Sequence, residues 1–316
     1  GGSSGSFVVG FFYARDNYTR TAGTGTPTDF SNQMIMFYMN SYAYSQTLSG
    51  GEMLIFSTLA HEFQHMIHFY QKTVLRAGGL GTDTWINEMM SMMTEDILAD
   101  KIGTAAEATP RGVAGTTYDA GSSGNTNGRL PAFDAFDDIS LSNWGAVDTL
   151  GSYAVAYSFG AYLERNYGGA TLLHDMMYNS YTDARAVTQG VLAASGQSVS
   201  FATLLTRWAA SVLLSTSTAP AFYQYSASGT PPFTSSYGVY SNEAYNLGSI
   251  NMFNYSWGSN NGPYIYPATS TMIQPPSGSQ GAYSNQYVEL GPVSGPTTFT
   301  KYFTVGDNNS VTIVVK

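Results

Sequence analysis

Two histidines and a glutamate near residue 60 have the types and spacing needed for metal-assisted hydrolysis. His61 and His65 are four positions apart, so in a helix their imidazoles lie on one face, one turn apart, and can bind a single ion. Glu62 lies about 100° around the helix from His61. From there its carboxylate can act as a base on a water molecule at the metal. The HExxH spacing therefore predicts a hydrolytic metal site with Glu62 as the catalytic base.

A third candidate ligand, Glu88, follows in the apolar segment WINEMMSMM. A glycine-bearing turn between two helices can fold them antiparallel and bring Glu88 to the two histidines. Two imidazoles and one carboxylate form an open catalytic zinc set, because a fourth position stays free. The chain has no Cys, so a metal must be held by His and carboxylates. We therefore predict a Zn²⁺ site at His61, His65 and Glu88, and not a chance pentapeptide.

The two remaining histidines are weaker ligand candidates. His68 is three residues after His65, and three ligands from adjacent turns of one straight helix would crowd each other. We expect a packing or supporting role for His68. His174 is expected to be a structural residue of a later helix.

Composition limits the classes of partner. The 316 residues carry a net charge of −9, so no basic stripe exists that would neutralise nucleic-acid phosphates. No apolar run reaches the ~18 residues of a membrane span. Only 10% of residues are charged, and the Gly, Ser, Thr, Asn and Tyr that replace them are typical of exported bacterial proteins. No signal peptide is visible and the chain does not start with Met, so we expect a mature or trimmed secreted product.

The elements that must position these residues are read from periodicity. Strands are predicted at 7–15 and 33–42, and a long helix over 52–76. A second helix is predicted at 84–101, with Asp83 or Thr84 as N-cap. Residues 104–148 are predicted to be mostly loop. The remaining predicted elements are a helix at 151–167, helices near 170–179, 183–194 and 199–215, and β-like runs at 287–290, 298–305 and 310–315.

Four segments, AHEFQHMI, WINE, GFFYARDNYT and SNQMIMFYMN, resemble the hyicolysin family of secreted bacterial metallopeptidases. That family falls among the gluzincins, which include the thermolysin-like enzymes, and the resemblance covers about residues 5–215. It implies an α+β fold in which residues 1–219 form a thermolysin-like zincin peptidase domain. Residues 1–148 would hold a small N-terminal sheet and the active-site helices, 149–219 a helical subdomain, and 220–316 a β-rich accessory domain.

The resemblance also implies roles for individual residues. Glu95 and Asn87 would support the ligand histidines, and Tyr153 would stabilise the transition state, with Tyr157 in reserve. The strand at 33–40 would bind the substrate backbone, and an ordinary interior strand is the alternative. The chain departs from its relatives at Met89 and at Met92, and Met92 stands where thermolysin-like enzymes have an Asp that contacts a ligand His.

The predicted function is a secreted zinc endopeptidase acting on proteins or peptides, because the GxMEN signature of exopeptidases is absent. Two alternatives stay open: a zinc hydrolase of small amides, and an adhesive or binding protein with a vestigial metal site. A structural Ca²⁺ is a further possibility, although ordinary solvated turns explain its candidate ligands more economically. Those candidates are Asp134, Asp137 and Asp138 in one cluster and Asp307, Asn308 and Asn309 in another.

Overall fold

The helices dominate the described part of the fold. A computed structural model describes residues 8–42, 52–102, 128–215, 219–225, 233–234, 244–245, 247–267, 272–273, 282–292, 295, 300, 302–303 and 309–315. Within these residues the α-helices are α1 Glu52–His68, α2 Thr84–Ile102, α3 Arg129–Phe136, α4 Thr149–Tyr167, α5 Ala170–Tyr178, α6 Ala184–Ser195 and α7 Phe201–Leu214. Five of them follow the predicted boundaries closely, namely α2, α4, α5, α6 and α7.

The first helix differs from its prediction because its α-helical geometry ends at His68 and a π-helix, Phe69–Val74, follows. Lys72 lies in this π-helix and is fully buried. Its ammonium donates hydrogen bonds to the carbonyl of Met176 at 2.7 Å and to the backbone and side-chain oxygens of Asn179. These bonds satisfy a buried cation and fix the end of the α1 segment against the end of α5.

Close packing of α2 against α4 depends on a glycine and on methionines. Met89, Met90, Met92 and Met93 of α2 are all fully buried. A Cβ at Gly160 of α4 would come within 2.8 Å of Met89 and Met93, so the glycine allows the two helices to approach closely. This contact explains why WINEMMSMM is so apolar.

Local signals set the helix boundaries. Asp83 accepts the first backbone bonds of α2, from Ile86 and Asn87. The Asp148 carboxylate caps α4 by accepting from the Gly151 amide at 2.6 Å, and α4 ends at Gly168, whose φ of 116° is in the left-handed region. This cap places the start of α4 two residues earlier than periodicity predicts.

Residues 104–148, predicted to be mostly loop, contain the helix α3. Residues 103–127 lie outside the described part of the chain. Leu130 and Phe133 of α3 are fully buried, and α3 packs against α4. The rest of residues 128–148 is turn and loop. The prediction omitted α3 because an eight-residue helix carries too short an apolar pattern to stand out from glycine-rich neighbours.

The N-terminal sheet has two antiparallel strands in the described residues, β1 Gly10–Phe12 and β2 Phe37–Met39, with Phe11 opposite Tyr38. Both strands are shorter than predicted, and a 3₁₀-helix that begins at Ala14 follows β1. The loop between them is held by Asp16, which accepts from the Asn32 amide and the Tyr38 hydroxyl.

The strands after residue 220 are short. They are β3 Phe233–Thr234, β4 Ala244–Tyr245, β5 Ser256–Trp257, β6 Asn260–Asn261, β7 Ile265–Pro267, β8 Met272–Ile273, β9 Tyr287–Glu289 and β10 Tyr302–Phe303. They pair two by two, with β7–β9 and β8–β10 parallel. The predicted β-run at 287–290 corresponds to β9, whereas residues 309–315 form no strand. Of the predicted run at 298–305, the structure describes residues 300, 302 and 303.

Helices and small sheets in one chain confirm the α+β class. The thermolysin-like arrangement and a domain boundary near residue 220 stay predictions. Residues beyond the helices also contribute to the core, since the hydroxyl of the buried Tyr225 donates to the carbonyl of Ser158 in α4. None of the described helices has the length and apolarity that crossing a membrane requires.

Candidate metal centre

Three side chains from α1 and α2 converge on one point. His61 Nε2 lies 3.2 Å and His65 Nε2 lies 3.4 Å from the same carboxylate oxygen, Glu88 Oε2. The potential ligand atoms of the three residues are all within 4.8 Å of one another, and no other such group occurs among the described residues. The antiparallel helix pair therefore brings together the residues that the sequence singled out.

The opposite ring nitrogens of the two histidines are also engaged. His61 Nδ1 lies 2.7 Å from Glu95 Oε1, and His65 Nδ1 lies 3.1 Å from both Asn87 Oδ1 and Ser91 Oγ. Acceptors at Nδ1 favour the tautomer that leaves the Nε2 lone pair directed at the centre. This donor set fits a zinc ion, which prefers imidazole nitrogen and carboxylate oxygen.

Glu95 is the central acceptor of a buried hydrogen-bond network on the Nδ1 side of His61. Its carboxylate, 1% exposed as a residue, accepts from the Ser57 hydroxyl at 2.6 Å and from Arg129 Nη2 at 2.8 Å. Met92 stands where thermolysin-like enzymes have the Asp that contacts a ligand His, so that contact was in doubt. In this protein Glu95, one helical turn after Met92, makes the carboxylate contact to His61.

The electrostatics of the centre follow from close pairing in a buried site. Burial alone would lower the pKa of His61, but hydrogen bonds to Glu88 and Glu95 outweigh it and raise the pKa to about 9. Burial opposes ionisation of Glu88, yet bonds to His61 and His65 hold its pKa well below the usual range. Burial also opposes ionisation of Glu95, and chiefly Arg129 lowers its pKa to about 2. Glu88 and Glu95 thus stay ionised beside the two imidazoles, at the point where a cation would bind.

Glu62 lies beside the convergent group without joining it. Its side chain is buried, and Oε2 accepts the Phe12 amide of β1 at 2.7 Å. Burial raises the pKa of Glu62, although His61 and His65 act in the opposite direction. A raised pKa suits a carboxylate that must accept and then release a proton.

The strand next to Glu62 is β1. Asn40 N donates to Val9 O at 2.8 Å, and residues alternate between the two edges of a strand. Val9 and Phe11 therefore face β2, whereas Phe12 directs its amide to Glu62. The substrate-binding role of the strand at 33–40 stays a prediction.

The two candidate tyrosines of α4 have different surroundings. The Tyr153 ring lies 6.4 Å from the His61 ring and packs edge-on against Trp144 at 4.9 Å. Burial, followed by the Glu88 carboxylate, raises the pKa of Tyr153, so its hydroxyl stays protonated and can donate. Tyr157 is fully buried and donates to Asp96 at 3.0 Å. Tyr157 is therefore a core residue that substrate cannot reach.

The other two histidines lie away from the convergent group. His68 is buried, and its Nε2 is 2.9 Å from Thr82 Oγ1. Burial, then Lys72, lowers its pKa to about 3, so His68 is a neutral packing residue. His174 is exposed on α5, where it pairs with Asp175 and stacks on Tyr178.

Sequence reasoning missed Ser57, Arg129 and Trp144. Ser57 is four residues before His61 and thus on the same helix face, so helical periodicity could have identified it. Arg129 and Trp144 lie in the segment predicted to be mostly loop, and no local pattern marks them.

The calcium candidates divide into two groups. Asp134 and Asp137 are buried, so the economical explanation by solvated turns was wrong for them. The second cluster is described only at Asn309, because residues 307 and 308 lie outside the described ranges.

A protein-family model and an individual known protein both relate this sequence to peptidases. The model of the family described as Peptidase M30 matches residues 4–288. The neutral metalloprotease ShpI of Staphylococcus hyicus is 30% identical over 165 residues, which make up 51% of this chain and 31% of that protein. The aligned part thus spans under a third of the relative. Both findings confirm the predicted resemblance to metallopeptidases. Because the family model covers most of the chain, this protein belongs to the peptidase M30 family.

Proposed function

We propose that this chain is a zinc-dependent endopeptidase. The observation that carries the proposal is the convergence of His61 Nε2, His65 Nε2 and Glu88 Oε2, with Glu62 beside them. A bound zinc ion would lower the pKa of a water molecule and polarise the scissile carbonyl. The name of the Staphylococcus hyicus relative, a neutral metalloprotease, supports the same reaction class.

The chain's own residues would carry the proton and stabilise charge. Glu62 takes the proton of the attacking water and delivers it to the leaving nitrogen. The hydroxyl of Tyr153 donates a hydrogen bond to the carbonyl oxygen as negative charge develops there. Glu95 and Asn87 hold the two imidazoles in the tautomer that binds metal. An extended substrate would lie along β1, the strand whose Phe12 amide reaches Glu62.

Secretion is part of the proposal. A sequence poor in charged residues and rich in Gly, Ser, Thr, Asn and Tyr supports it. The substrate would be a protein or an extended peptide.

Replacing Glu62 with Gln tests the mechanism. We expect casein hydrolysis to fall about 10²–10⁴-fold, while one zinc per chain is retained, because the amide cannot accept the proton but leaves the metal ligands in place. Glu289→Gln, the same chemical change at an exposed strand residue, is the matched control. Unchanged proteolysis in Glu62→Gln would overturn the proposal. Cleavage of peptides blocked at both ends separates an endopeptidase from a hydrolase of small amides.

Tyr153→Phe tests the oxyanion role. Removing the hydroxyl should lower kcat about 10²–10³-fold with little change in KM or zinc content, measured on a fluorogenic peptide. A Tyr153→Phe enzyme with normal kcat would exclude this role.

A further inference from the structure

The C-terminal end of α3 buries two carboxyl groups that lack compensation. Asp134 in the last turn and Asp137 at the C-cap are each 2% exposed. Among the described residues, both oxygens of Asp134 and Oδ2 of Asp137 have no hydrogen-bond partner. Buried polar atoms are almost always bonded, and buried charges are almost always paired or coordinate a metal. Three orphaned oxygens on neighbouring side chains therefore require an explanation.

The charged groups nearest to these two carboxyls are other carboxyls, which make ionisation of Asp134 and Asp137 still less favourable. Asp137 acts on Asp134, and Asp138 acts on Asp137. The Tyr264 amide is the favourable contact, donating to Asp137. No Lys, Arg or His of the described residues forms an ion pair with either group. The C-terminal end of a helix adds further negative potential.

The negative charge of the two carboxyl groups must therefore be removed by protonation or balanced by a bound cation. Burial, followed by the neighbouring carboxyls, raises the pKa of Asp134 to about 9 and that of Asp137 to about 8. Tyr287 of β9 is also buried beside them, since Asp137 and Asp134 both raise its pKa after burial. The described surroundings offer carboxyl and hydroxyl oxygens, from Asp134, Asp137 and Tyr287, but neither imidazole nor thiolate, which suits a hard cation of the calcium type.

We propose that Asp134 and Asp137 bind a Ca²⁺-class divalent cation that joins the end of α3 to the β7–β9 region. Asp138 is partly exposed and does not complete a convergent acidic trio with them. Carbonyl and water oxygens would therefore complete the coordination shell. The opposite end of α3 carries Arg129, which contacts Glu95. The cation would thus fix the helix that supports the ligand His61.

Calcium titration of the full chain tests this site. The Glu62→Gln variant, loaded with one zinc per chain, serves as the parent, because it prevents self-cleavage and makes the result independent of peptidase activity. Calcium binding is followed by calorimetry and by thermal unfolding. Asp134→Asn and Asp137→Asn are built in this parent, and Asp175→Asn, on the surface of α5, is the matched control.

We expect one calcium per chain in the parent and a rise in Tm of at least about 3 °C at millimolar calcium. Each Asn variant at the site should weaken binding at least tenfold and lose most of the rise in Tm, whereas Asp175→Asn keeps both. A parent that binds no calcium and shows no shift in Tm overturns the proposal, even if a site variant fails to fold. Equal calcium responses in the parent and the two site variants overturn it as well.

Discussion

Buried carboxyl groups occur in two regions of this molecule, and their surroundings are opposite. Between α1, α2 and α4, Glu88 and Glu95 face imidazoles, and Asp96 is 2.7 Å from Arg165. At the end of α3, Asp134 and Asp137 are equally buried and face other carboxyls. The first region contains its own compensating groups, so Glu88 and Glu95 stay ionised. The second region must obtain a proton or a cation from solution.

The largest expected effect on stability comes from neutralising Asp96, which lies in the region where buried carboxylates face cationic or imidazole groups. Asp96→Asn removes the charge that Arg165 and the Tyr157 hydroxyl bind. The guanidinium, with 0% side-chain exposure, would then keep, among the described residues, only the longer carboxylate contact, to Glu164 at 3.3 Å. We expect a loss of about 3–5 kcal/mol in the free energy of unfolding, measured by urea denaturation.

The same change on the surface is the control for Asp96. Asp175→Asn removes an exposed pair with His174 and should cost less than about 1 kcal/mol. If the two variants unfold at the same urea concentration, the core ion pair is not the stabilising contact that its burial indicates.

A smaller effect is expected at Glu95, which contacts the candidate ligand His61. Glu95→Gln removes the acceptor charge beside His61 Nδ1 but keeps the shape of the side chain. Zinc affinity should fall about 10–100-fold, measured by competition with a chromogenic chelator. Glu289→Gln should leave it unchanged. Unaltered zinc affinity in Glu95→Gln would show that the contact does not orient the ligand.

The smallest effect, of opposite sign, is expected at the end of α3. The folded pKa of Asp134, about 9, exceeds its ordinary value of 3.8. Stability from the protonated group is therefore fully present below about pH 4 and is lost as the pH rises toward 9. In calcium-free buffer, Asp134→Asn should match or exceed the parent by about 1 kcal/mol at pH 8. Thermal unfolding between pH 5 and 8 should show a steeper decline for the parent, and parallel curves would contradict this assignment.

The candidate metal site was largely predictable, because its geometry comes from local periodicity. Two histidines four residues apart share a helix face whatever the rest of the fold does. Glu88 needed the further assumption that two adjacent helices are antiparallel, which a short connection makes probable. Arg129 was not predictable, since it reaches Glu95 from 34 residues away, across a segment with no helical pattern of its own.

The sequence by itself determined which side chains share a helix face and approximately where α2 and α4 to α7 begin and end. It also determined that any metal ligands must be His and carboxylates, because the chain has no Cys. Only the tertiary structure decided that Tyr153 lies beside His61 while Tyr157 lies in the core, and that Asp134 is buried without a partner among the described residues. The physical reason is that spacing along a helix fixes local geometry. Burial and pairing depend instead on which distant segments pack together.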